Sequence, residues 1–168
     1  MEARKLALIG VFASLSFAVM FVEFPIIPAA SFLKYDPSEV FALLGAVNFG
    51  LGGGILVVVM KDLLFYFAKS GDIVGILMNV AAGVFFIIPA WVLWRRSKVL
   101  AGVVSVSVVS AAMIGLNAFV VPLYFKAPFS LFLEFIPWIA LFNAVKFTVN
   151  FVLTVFLNRY VERIIRLV

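Results

Sequence analysis

The chain contains neither cysteine nor histidine. That removes disulfides, a thiol nucleophile, an imidazole base and the usual zinc ligands together. Charge is scarce too, at 12% of the 168 residues. No GxxxxGK[ST] stretch occurs, which excludes ATP hydrolysis by a P-loop in this chain. Glu23, Asp62 and Glu134 are scattered and form no recognisable acid, base or metal cluster, so no catalytic residue, cofactor or metal is expected. No linker or low-complexity tract separates two halves, and a single domain over 1–168 is expected.

What remains is overwhelmingly apolar: 66% of residues are hydrophobic and the mean hydropathy is +1.26. This composition defines an integral membrane protein in contact with lipid. Thirteen Lys+Arg stand against eight Asp+Glu, but the basic residues gather at the ends of apolar runs, which suits membrane topology and not nucleic acid. Arg4 and Lys5 ahead of an apolar run could open a signal peptide. The run to Val22 is longer than an h-region of ~7 to 15 residues, and a retained first span is expected.

Clear runs cover Leu6 to Val22, Ile73 to Trp94, Val99 to Phe125 and Leu131 to Leu157. The stretch from Val40 to Phe67 decides the count. Taken as one crossing from Val40 to Met60, it gives five spans and places Arg95, Arg96, Lys98, Arg159, Arg163 and Arg166 outside. Broken at Gly50, Gly52, Gly53 and Gly54, it gives six, with helices near 4–23, 38–49, 54–68, 72–95, 99–125 and 131–160. Those basic residues then lie inside with Arg4 and Lys5, against Lys34, Lys69 and Lys126 outside. The positive-inside rule favours six. The expectation is an all-α bundle of six transmembrane helices, both termini cytoplasmic, with a long extracellular loop between helices 1 and 2. The short second helix must then tilt, thin the bilayer or be shielded by protein. The glycine cluster allows close backbone packing.

Polar groups inside the spans need partners. Asn143, Lys146 and Asn150 at i, i+3 and i+7 share one helical face, and lipid is not a tolerable neighbour for them. Asn79 and Asn117 add two further amides. Each alone is explained by an interhelical hydrogen bond, whereas the set points to a polar pocket. Lys61 and Asp62 are adjacent on a helix and point about 100° apart, so they are not expected to pair readily. Asp62 is expected to neutralise Lys61 through another helix or to counter Lys146. In the proline-rich connection FPIIPAASFLKYDPSE, Phe32, Leu33 and Tyr35 suit a segment folded back over the bundle as a lid. Along the first helix Ala3, Ala7, Gly10, Ser14 and Ala18 form a small-residue stripe, suited either to a neighbouring helix of the same chain or to a partner's helix.

SFLKYDPSEVFALLGAVNFGLGGG, the later MNVAAGVFFIIPAWVLWRR and the final NAVKFTVN together resemble the riboflavin-specific S components of energy-coupling-factor vitamin transporters, over nearly the whole chain. That resemblance implies a prokaryotic plasma-membrane protein that binds riboflavin from outside, beneath the loop joining helices 1 and 2. It implies partners as well: two ATPase subunits and a transmembrane coupling subunit, the latter met by Ala3, Ala7, Gly10, Ser14 and Ala18. The binding positions it implies are Asn117, Asn143 and Lys146, with Asn79, Lys34 and Tyr35 beside them. Amides and a lysine suit the imide and carbonyls of isoalloxazine and the hydroxyls of ribityl, and Asn150 is left to packing. The alternatives are an S component for another vitamin and a small membrane subunit without a transport role.

Overall fold

Gly50, at φ 90°, is where the long apolar stretch folds back on itself. That region of backbone favours glycine, and it separates two helices that a hydropathy window merges. A computed structural model describes residues 3–69 and 72–167. The side chain of Arg166, counted above with the basic residues, lies outside what is described.

Among the described residues six α-helices result: α1 (Ala3–Met20), α2 (Glu39–Phe49), α3 (Leu51–Lys69), α4 (Ile73–Leu93), α5 (Lys98–Phe125) and α6 (Phe129–Leu167). Five are long and apolar enough to cross a membrane. The eleven residues of α2 span only about 16 Å, half a hydrocarbon core. Protein shields it: eight of the eleven are buried, and α1, α3, α4 and α6 all pack on it. Of the glycine cluster, only Gly50 breaks the helix. Gly52, Gly53 and Gly54 belong to the first turn of α3. A Cβ at Gly54 would stand 2.5 Å from the Ala46 Cβ and 2.9 Å from the Ala42 carbonyl oxygen, so α2 and α3 touch backbone to backbone.

The starts of α4 and α5 are set by side-chain caps. Asp72 accepts from the amides of Val74 and Gly75, and Ser97 accepts from that of Leu100. At 39 residues, α6 is about 58 Å long and outruns any bilayer. Its end meets the start of α1, where the Arg4 guanidinium donates to the Ile165 carbonyl at 2.7 Å, so both ends of the chain lie at one end of the bundle.

The α1–α2 connection is not featureless. Phe24–Pro25 (β1) and Lys34–Tyr35 (β2) pair antiparallel, a ribbon that the all-helical expectation did not include, with a 3-10 turn at Pro28–Ala30 between them. Ile27 and Ala30 are buried beside Phe142, and the Phe32 ring meets Phe125 and Phe135 edge-on at 5.4 and 5.2 Å.

Because Gly54 sits in backbone contact while a Cβ at Gly52 would meet nothing within 4 Å, the two respond oppositely to alanine. Gly54→Ala is expected to cost about 1 to 3 kcal/mol through overpacking. Gly52→Ala is neutral or stabilising by up to about 1 kcal/mol from helix propensity. Thermal unfolding of both variants in detergent checks this, and equal midpoints would contradict the close α2–α3 contact.

Candidate functional site

Beneath the ribbon lies a cavity of about 500 Å³, within the range of small-molecule sites. Its walls are largely aromatic and thioether: Phe65, Phe142 and Phe147, with Met20, Met78 and Met113. Into this apolar chamber project Asn117 from α5, Asn79 from α4, and Asn143 and Lys146 from α6. Phe32, Leu33 and Lys34 enter from the connection.

The two deepest amides are held alike. Asn117 donates through Nδ2 to the Met113 carbonyl at 2.7 Å, and Asn143 to that of Ile139 at 2.8 Å, each one turn back on its own helix. That bond fixes the rotamer and consumes the donor side, while neither Oδ1 accepts from any described residue. Two hydrogen-bond acceptors are left lining the cavity.

Lys146, almost fully buried, pairs with Asp36 at 2.7 Å and donates to Asn79 Oδ1 at 3.3 Å. An ammonium carries three donors, so one remains. Asn79 in turn donates to Asp62 at 2.8 Å. Asp62 accepts from Lys61, whose Nζ lies 3.2 Å from both carboxylate oxygens and 3.0 Å from Glu39 Oε1. A continuous polar chain thus runs Glu39, Lys61, Asp62, Asn79, Lys146, Asp36, linking α2, α3, α4, α6 and the connection. Each buried charge has an opposite charge beside it, which its desolvation requires.

Several expectations are corrected here. Lys61 and Asp62 do pair, because the long lysine stem curls along the helix once both heads are excluded from lipid. The counter-ion of Lys146 is Asp36, and Asp62 reaches it only through Asn79. Asp36 stands in an irregular connection outside the apolar runs, where an acid carries no burial signal of its own; the signal was the buried lysine's need for an acid on a segment able to fold over it. Tyr35 does not line the cavity. Adjacent strand residues face opposite ways, so Lys34 turns to the chamber while the Tyr35 hydroxyl donates to Asn150 Oδ1 at 3.2 Å. Asn150 also donates to the Asp36 carbonyl at 3.3 Å. It therefore anchors the connection.

At the cavity's rim Glu23 accepts from Lys34 at 2.9 Å and from Lys69, tying the connection to α3. Burial alone would raise the Glu23 carboxyl, but the hydrogen bonds from Lys69 and Lys34 outweigh it and hold it below the usual carboxylate range. The tie is complete above the ordinary carboxylate pKa and is lost only as pH falls through the lowered value.

The α1 stripe lies elsewhere. Ala3, Ala7, Gly10, Ser14 and Ala18 are all exposed, and a Cβ on Gly10 would meet nothing within 4 Å. Packing within the chain uses the other face: Ile9, Phe12, Ala13, Ser16 and Met20. The reading of the stripe as an internal helix contact is thereby overturned.

An apolar helical bundle around a partly open cavity lined by convergent amides defines a multi-pass membrane protein with a polar site of small-molecule size in its interior. The chain belongs to the substrate-specific components of ECF transporters, whose family model matches residues 4–168, and is a multi-pass prokaryotic membrane protein. It is 35% identical over 138 residues to the riboflavin transporter RibU of Streptococcus thermophilus, covering 74% of this chain and 64% of that one. It is 31% identical to RibU of Staphylococcus aureus, covering 73% and 68%. To the riboflavin transporter FmnP of Bacillus subtilis it is 32% identical, covering 67% and 62%. The match thus spans less than two thirds of the first and third relatives. A solved S component of a bacterial ECF transporter superposes with a TM-score of 0.87 at 27% identity, over 98% of this chain and 99% of that one.

The polar chain makes a stability prediction. Lys61→Met leaves Glu39 and Asp62 buried without their ammonium and is expected to destabilise by about 3 to 5 kcal/mol. The triple change Glu39→Gln, Lys61→Met, Asp62→Asn should recover most of that loss. Denaturation in detergent measures both, and wild-type stability of Lys61→Met alone would refute the dependence on this pairing.

Proposed function

We propose that the chain binds riboflavin in this cavity and serves as the substrate-specific subunit for its uptake. The observation that carries the reading is the pair of unclaimed acceptors on Asn117 and Asn143, set with the spare donor of Lys146 in an aromatic-walled chamber of about 500 Å³. Isoalloxazine matches that pattern. Its imide N–H needs an acceptor, its carbonyls need a donor, and its faces prefer Phe and Met walls. Lys34 and Asn79 are within the same lining and suit ribityl hydroxyls. The names of the curated relatives agree with this choice of ligand.

Uptake needs an energy source outside this chain, which has no P-loop. Two ATPase subunits and a transmembrane coupling subunit of an ECF module fill that role. The exposed stripe Ala3, Ala7, Gly10, Ser14 and Ala18 is the surface for the coupling subunit, since small residues let a second helix approach closely in lipid. The basic end of the bundle, with Arg4, Arg95, Arg96 and Arg159, is assigned to the cytoplasm, and the ribbon and cavity mouth to the outside.

Purified protein should quench riboflavin fluorescence on titration. Asn117→Ala and Asn143→Ala should each weaken binding by roughly 5- to 150-fold, the value of about 1 to 3 kcal/mol for an unmet buried polar contact. Gly10→Leu should leave that binding intact yet abolish uptake by the assembled transporter. Unchanged affinity in both asparagine variants, or tight binding of another vitamin with none of riboflavin, would overturn the assignment.

A further inference from the structure

A second concavity of about 680 Å³ lies between α5 and α6, on the opposite half of the bundle from the ligand cavity. It owes its depth to Gly102: a Cβ there would stand 2.9 Å from the Phe151 ring, so the ring packs directly on the α5 backbone and forms the floor. The exposed side chains of Val103 and Val152 border it. The groove runs from Lys98 to Ser107 on α5 and from Arg159 to Thr148 on α6, about 14 Å and 16 Å of helix respectively. One leaflet's hydrocarbon is about 15 Å deep. The groove therefore has an acyl chain's length and depth, and it is apolar for nearly all of it.

Its open end is cationic. Lys98 and Arg159 both line it. Lys98 is held in place, donating to the Trp94 carbonyl at 2.9 Å with its Nζ 3.6 Å from the Trp94 ring centre. Glu162, the acid facing Lys98, also accepts from Asn158 at 2.6 Å, so two cations stand against one carboxylate and this end keeps a positive excess. Arg159 makes no ion pair among the described residues. An anchored lysine and an exposed arginine above an apolar slot of one-leaflet depth complement a phosphodiester above a hydrocarbon chain, and basic pockets between transmembrane helices take anionic head groups on this principle. We propose that the α5–α6 groove is a binding site for an anionic phospholipid, one acyl chain against Phe151 and the phosphate between Lys98 and Arg159. The inference is independent of which molecule fills the other cavity.

Native mass spectrometry of the full chain, with phosphatidylglycerol and phosphatidylcholine of identical acyl chains, tests it. Wild type should retain phosphatidylglycerol with a preference on the order of tenfold. Lys98→Gln/Arg159→Gln should erase the preference, and Val103→Trp, at an exposed site, should reduce retention of both lipids by filling the slot. A photo-crosslinker at Val103 should label lipid. No preference in wild type, an undiminished preference in the double variant, or crosslinking of Val103 to another polypeptide would overturn the proposal. The wild-type comparison stands even where a variant folds poorly.

Discussion

The ion pair between Lys146 and Asp36 is the contact on which the site depends. One partner sits midway along α6 and the other on an irregular connection, 110 residues earlier in the chain. A buried ammonium tolerates no vacancy beside it, so the connection is drawn down onto the helices and the cavity acquires a roof. From Lys146 the same requirement propagates through Asn79 and Asp62 to Lys61 and Glu39. The short helix α2, which could not span a membrane by itself, is thereby tied into the bundle by charge as well as by packing.

Much of this was legible in the sequence because lipid is an unforgiving solvent. A lysine and several amides in apolar runs had to converge, and Asn79, Asn117, Asn143 and Lys146 do line one chamber. The break at Gly50 could be read from the glycine cluster together with the distribution of basic residues. The pairing of the charges could not. Whether Lys146 meets Asp62 or Asp36 depends on where an irregular segment returns, and hydrophobic periodicity carries no information about that. Tyr35 was misplaced for a related reason: a two-residue strand reverses the facing of its neighbour, and nothing in the proline-rich connection announced a ribbon. The small stripe of α1 was ambiguous because internal and external packing in lipid use the same residues; only burial separates them.

α1 divides its labour between two faces. Ile9, Phe12, Ala13, Ser16 and Met20 pack inward, while the stripe Ala3, Ala7, Gly10, Ser14 and Ala18 is exposed beside Leu6, Val11 and Leu15. α6 divides the same labour along its length: cavity residues in its first half, the loop anchor Asn150 next, and then a polar continuation past the bilayer that meets Arg4.

Tyr35 and Asp36 grip α6 while Lys34, their neighbour, faces the chamber. Any movement that lifts the whole connection must therefore pull apart two opposite charges in a medium that screens them poorly. The Lys146–Asp36 pair is thus the latch of the connection, and parting it costs more than separating the same two charges in water.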